Sequence, residues 1–330
     1  MGRVRMARLI DSDALVHIGL HKTGTTWLQF HLFPRADCGF HLPEFEGMTP
    51  KQRAKAIGVR LCYDQANRLM AEVDFDAIAT REALAGLTVP EGKTAVVSHE
   101  RLGGHPLSAG FDRTILRDRI RTVLPNARIL VVVREQFSML MSSYLQYLKY
   151  GGWHDLEQYL YPPSDGRLPT LNIDFWKYDR LIELYRSAFG PDRVLVLPYE
   201  MLVRNPQDLV ERICDFAGVS VPDGVDGGRR ENSRRGYAAA YWFRRLTWIN
   251  RRTSANAFRP SRLPPWAGKV FDRGLKRGLE AAMPTYFENC VRQHLNAELL
   301  RLVDQRYFAE SNRRTAELAG LDLKSFGYPV

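Results

Sequence analysis

An apolar run, ALVHIGL at residues 14–20, stands between Asp11-Ser12-Asp13 and HKTGTT, and beyond it Trp27, Leu28 and Leu32 recur at helical spacing until Pro34. A short strand apolar on both faces has to be buried on both faces, so this run reads as a central parallel strand. Strand, Gly-containing turn and helix then follow in order. The unit recurs with strands at 94–99, 128–133 and 193–199 and helices at 114–124, at QFSMLMSSYLQYLKY up to Gly151-Gly152, and at 206–217. Strands alternating with helices predict an α/β fold, a central parallel β-sheet flanked by helices. Residues 35–92 and 151–173, richer in polar residues, Gly and Pro, read as insertions that shape a cleft. A last amphipathic helix is expected over 284–310. The whole chain, 1–330, reads as one domain, with an α/β core at 14–237 and a basic, aromatic helical extension at 238–330.

Composition removes several classes. Hydrophobic residues at 45% and charged residues at 25% are those of a globular chain, neither disordered nor fibrous. No run approaches the ~18 consecutive apolar residues of a membrane-spanning helix, and the first thirteen residues hold no apolar export core, so a cytoplasmic protein is expected. Cys38, Cys62, Cys214 and Cys290 form no CxxC pair or Cys/His cluster and read as reduced, mostly structural thiols. A net charge of +10 points to an anionic partner without saying which.

The turn GLHKTGTT, residues 19–26, sharpens that expectation. Between a buried strand and a helix, a Gly-containing turn lets backbone N–H groups converge on an anion, which predicts a bound phosphate. The spacing resembles the Walker A pattern G-x-x-x-x-G-K-[ST], but Thr25 stands at the lysine position and the lysine comes earlier, as Lys22. A nucleoside triphosphatase also wants an acid at a neighbouring strand end to hold Mg²⁺. Here the strand RILVVV ends in Arg134. A guanidinium repels a metal and attracts a second phosphate, so the site reads as one for an anionic nucleotide handled without an essential metal. Ser142, about two helical turns further on, is a candidate to join Arg134.

These motifs resemble those of sulfotransferases that use 3′-phosphoadenosine 5′-phosphosulfate (PAPS). HKTGTTWL is similar to their 5′-phosphosulfate loop, and VVVREQFSMLMSSY to their 3′-phosphate strand and helix. VLVLPYEMLVRNPQDLVERICDFAGV resembles a further family segment, and ENSRRGY the late basic-Gly loop, so the resemblance spans residues 14–237. It implies a P-loop-like sulfotransferase architecture that binds PAPS and releases adenosine 3′,5′-bisphosphate. Lys22 is implied to touch the bridging oxygen and stabilise charge as the sulfuryl group leaves. Thr23, Gly24, Thr25 and Thr26 are implied to cradle the 5′-phosphate, with Trp27 stacked on adenine and Tyr199 near the base. Arg134 and Ser142, joined by Arg234, Arg235 and Gly236, are implied to hold the 3′-phosphate.

The acceptor's proton needs a base, and SHERL at 98–102 offers His99 and Glu100. Imidazole with a pKa of ~6.5 suits the task untuned, whereas a carboxylate needs desolvation. Adjacent strand residues point to opposite faces, so one of the two is expected to serve. His17 and His21 are expected to pack or hydrogen-bond. The acceptor is expected to be a hydroxyl on a glycan, glycolipid or small metabolite. Residues 229–277, basic with interleaved aromatics, read as a solvated face, as a surface for an anionic or glycan acceptor, or as one for acidic membrane at the inner face. No nucleic-acid motif is present. The competing functions are a P-loop kinase or hydrolase and a non-catalytic nucleotide-binding module.

Overall fold

The computed structural model describes residues 5–66, 68–164, 166, 170–225, 236–245 and 284–330, with the side chains of Phe243 and Arg245 left aside. The chain divides into two compact units, one of residues 1–135, 172–227 and 308–330, the other of 136–171 and 228–307.

The first unit is built on a five-stranded sheet in the order β3-β5-β2-β6-β7, every neighbouring pair parallel: β2 (Leu15–His17), β3 (Phe40–His41), β5 (Thr94–Ser98), β6 (Arg128–Val133) and β7 (Val194–Pro198). A separate antiparallel pair joins β1 (Met6–Arg8) to β4 (Thr88–Pro90). The run at 14–20 is indeed central and buried throughout, though only three of its residues are strand. Alternation sorts the sheet's two faces. Leu130 and Val132 of β6 join Leu15, Leu28, Leu32, Leu209 and Ile213 in one core cluster, and the intervening Ile129, Val131 and Val133 are buried outside that cluster. On the periphery α2 (Pro50–Cys62) packs on β5, α7 (Tyr178–Phe189) on β6 and β7, and α9 (Pro206–Ala217) on β7, while α4 (Arg113–Val123) packs on α7.

Two expectations are corrected. The segment 35–92 is more than an insertion, because Phe40 and His41 form the sheet's edge strand against Thr94 and Ala95. Two residues are too few to carry a period. The helix expected over 284–310 is two helices, Thr285–Leu302 in the second unit and Ala309–Ala319 in the first. The first ends at Val303, which is extended, and the Asp304 carboxylate then accepts from Arg306 N–H at 2.7 Å, a local turn that competes with helix. All four cysteines are free, yet the Sγ atoms of Cys38 and Cys214 lie 3.9 Å apart.

In the second unit α5 (Gln136–Lys149) and α10 (Tyr237–Arg245) pack together and against Thr285–Leu302, with α6 (Leu156–Leu160) alongside. Tyr144, Tyr147 and Tyr159 fill their core, with ring centroids 5.3 and 5.0 Å apart for the two pairs involving Tyr159. No described helix is long and apolar enough to cross a membrane.

Candidate active site

In a parallel sheet the loops leaving the C-terminal strand ends lie side by side, and here those of β2, β5 and β6 are neighbours. Pairing of β2 with β5 places His17 beside Ser98, and His99 N–H donates to His17 O at 3.2 Å. On the other side Ile18 N–H donates to Leu130 O at 3.1 Å, after which the β2 chain leaves the sheet.

The loop that follows is tightly held. Thr23 Oγ1 donates to Leu20 O at 2.7 Å, Gly24 takes a left-handed conformation at φ 82°, and Leu28 N–H closes the first helical turn onto Gly24 O. Lys22 is also left-handed, at φ 69°, which costs a residue with a Cβ on the order of 1 kcal/mol or more and persists only where the surroundings impose it. A side chain on Gly24 would meet Leu202 at 2.7 Å and Tyr199 at 3.3 Å. Gly19 is equally hemmed in, since a Cβ there would sit 2.4 Å from Thr25 Oγ1. That Thr25 hydroxyl and Trp27 Nε1 are both buried without a protein partner. Buried polar atoms normally have one, so an orphaned hydroxyl inside a glycine-lined loop fits an oxyanion ligand. Trp27 itself is 8% exposed and belongs to the core cluster, its ring tilted against His31 at 5.8 Å, which leaves little of it for a base to stack on.

Arg134 follows β6 directly. Its Nη1 donates to Lys22 O at 3.1 Å and its guanidinium lies 5.0 Å from the Tyr199 ring centroid. Its own carbonyl accepts from Tyr178 Oη at 2.6 Å, so both ends of the residue are fixed. Behind it Glu200 accepts from Glu135 N–H at 3.1 Å and from Tyr328 Oη at 3.0 Å, and burial pushes its pKa up. Lys22, Gly24, Arg134 and Tyr199, named separately from the sequence, therefore meet at one place.

The end of β5 carries the second constellation. His99 is 7% exposed, and Arg101 N–H donates to its Nδ1 at 3.0 Å, so the neutral ring keeps its proton on Nε2. Burial lowers its pKa to about 4. Glu100 receives both hydrogens of a forked contact from Lys55, at 3.0 and 2.8 Å. Burial alone would raise its pKa, but Lys55 and His99 together hold it down at about 2. His21, from the β2 loop, packs edge-to-face on His105 with ring centroids 5.0 Å apart. The expectation that His17 forms a structural hydrogen bond holds, with Nδ1 2.8 Å from Ser98 Oγ.

The remaining candidates fall elsewhere. Thr26 is exposed beside the loop. Ser142 belongs to α5 in the second unit and is half-buried. Gly236, also in that unit, donates its N–H to Glu288 Oε1 at 2.8 Å, and Tyr237 and Ala238 N–H meet the same carboxylate at 2.7 and 2.9 Å. Arg234 and Arg235 lie outside the described residues, as does most of 229–277. Sequence reasoning missed Lys55, whose partner is 45 positions away, and gave His21 and His105 no role together. A signal for Lys55 exists in the sequence: α2 carries Gly58 in its interior, where a Cβ would lie 2.4 Å from His99 Cβ, so a mid-helix glycine marks the close approach of another segment.

Residues 15–223 match the sulfotransferase family, and the chain belongs to it. Among solved structures, a sulfotransferase from Alicyclobacillus acidocaldarius is 16% identical, over 84% of this chain and 99% of that one, at a TM-score of 0.47. A sulfotransferase domain from the curacin biosynthetic pathway is 16% identical, over 67% and 79% of the two chains, at 0.37. One from the Synechococcus PCC 7002 olefin synthase is 17% identical, over 83% and 98%, at 0.36. No curated protein matches.

Proposed function

We propose that the chain moves the sulfuryl group from PAPS to a hydroxyl of a carbohydrate, glycolipid or small-molecule acceptor by in-line transfer. The observation that carries this reading is the loop after β2: a strained Lys22, an orphaned Thr25 hydroxyl and the Arg134 guanidinium hydrogen-bonded onto the same turn. Thr23, Gly24, Thr25 and Thr26 bind the 5′-phosphosulfate. Lys22 stabilises the charge that gathers on the bridging oxygen as the S–O bond breaks, where a pre-positioned cation is most effective. Arg134 supplies the cation for the 3′-phosphate and Tyr199 lies near the base. The acceptor's proton passes to a general base, for which His99 and Glu100 at the end of β5 are the candidates named from the sequence and the adjoining β2 loop offers another. Incubating the chain with ³⁵S-labelled PAPS and fractionated glycans, glycolipids and small hydroxylated metabolites, with mass spectrometry for an added sulfate, tests the reading. A sulfated hydroxyl product is expected; donor that stays intact with every fraction, while ATP is hydrolysed in a metal-dependent way, overturns it.

A further inference from the structure

The proton-accepting group is better sought in the β2 loop than at the end of β5. His99 spends its Nδ1 lone pair on Arg101 N–H at 3.0 Å, so the nitrogen left over carries a hydrogen and donates. His105 is in the same condition, its Nδ1 accepting from Leu107 N–H at 3.2 Å. Glu100 is tied down by both contacts from Lys55 and is too weak a base at a pKa of about 2. His21 differs from all three. Its Nδ1 is buried with no protein partner, so no contact forces the ring's proton onto Nε2, and that nitrogen stays open to accept one. The ring is held in place by the edge-to-face contact with His105, and it is the residue immediately before Lys22. Burial keeps the ring neutral, its pKa lowered to about 4, with Lys22, Lys55 and Arg101 disfavouring a proton there and Glu100 favouring one.

We propose that His21 is the general base of the transfer, and that Glu100, clamped by Lys55, is a positioning residue whose fixed negative charge supports the imidazolium. This rests on the sulfotransferase reading above. As the acceptor oxygen forms its bond to sulfur, its proton passes to the His21 imidazole. The bond from sulfur to the bridging oxygen breaks, and its electron pair leaves with adenosine 3′,5′-bisphosphate beside Lys22. The imidazolium then returns its proton to solvent. One loop thus carries the cation for the leaving group and, on the preceding residue, the base for the incoming one, while Lys55 and Glu100 tie that loop's chemistry to α2.

Because every aqueous solution supplies a hydroxyl acceptor, sulfate release from PAPS in buffer is the probe. His21→Ala and the bulkier His21→Gln should both lose sulfate release by about 10²-fold or more, the usual contribution of a positioned base. Both should still bind adenosine 3′,5′-bisphosphate within a few-fold of the unaltered chain. Added imidazole should restore release in His21→Ala, where it has room, and not in His21→Gln, a pattern that a structural role for the ring would not produce. Release within threefold of the unaltered chain in His21→Ala overturns the proposal, as does a loss that imidazole leaves untouched while nucleotide still binds. An unaltered chain that binds the bisphosphate yet releases no sulfate also overturns it. A chain that binds no bisphosphate at all fails one step earlier, and brings down the sulfotransferase reading with it.

Discussion

Lys22 occupies a backbone conformation that most side chains avoid, in a turn closed by the Thr23 hydroxyl on Leu20 O and by the Arg134 guanidinium on the Lys22 carbonyl. Strain of this kind clusters at functional sites, and the proposed function uses it to present an ammonium to a leaving oxygen. Lys22→Ala is expected to cut sulfuryl transfer by about 10²-fold or more while bisphosphate affinity changes far less, because the charge it meets develops during the reaction. A variant with unchanged turnover, measured as kcat against nucleotide Kd, would remove the residue from the mechanism. At this scale the sequence was informative wherever neighbours in the chain act together. The loop's glycines and threonines, and the arginine ending an apolar strand, announce themselves by spacing. Lys55 did not, because its pairing with Glu100 depends on how a helix lies over a strand, and no local pattern encodes that.

The elements repeat the lesson. The strands β2, β5, β6 and β7 were legible because each is an apolar run bounded by turn residues, and α9 because Asn205 caps its start and Gly218 its end. The edge strand β3 and the break at Val303 were not, one for want of length and the other because a single Asp turn decides it. Helix α2 shows how packing overrides propensity. Thr49 and Gln52 form a capping box at its start, but Gly58 in its interior is a poor helix former kept for the room it leaves to His99. Gly58→Ala should therefore destabilise the fold by roughly 1–3 kcal/mol, although alanine favours helix, because a Cβ 2.4 Å from the His99 Cβ forces helix and strand apart. Urea denaturation reads the sign directly, and a higher midpoint in the alanine variant would contradict the packing.

Across the molecule, buried histidines make stability depend on acid. Burial lowers the pKa values of His17, His21 and His99 from 6.5 to about 4, so the folded chain keeps them neutral where the unfolded chain protonates them. The unfolded state binds more protons between those values, and stability is expected to be full above about pH 6.5 and to fall as pH drops toward 4. Denaturant midpoints across that window check it; His17→Asn should flatten the slope, and a midpoint independent of pH would contradict the burial. The two units interleave along the chain, so composition alone does not delimit them. The proposed function requires a doubly phosphorylated nucleotide held by the β2 loop and by Arg134. Calorimetric titration of adenosine 3′,5′-bisphosphate against adenosine 5′-phosphate tests that grip. The bisphosphate should bind at least about tenfold more tightly, and Arg134→Ala should erase most of the difference by removing a charge-assisted contact. Equal affinities for the two nucleotides, or no heat with either, would contradict it.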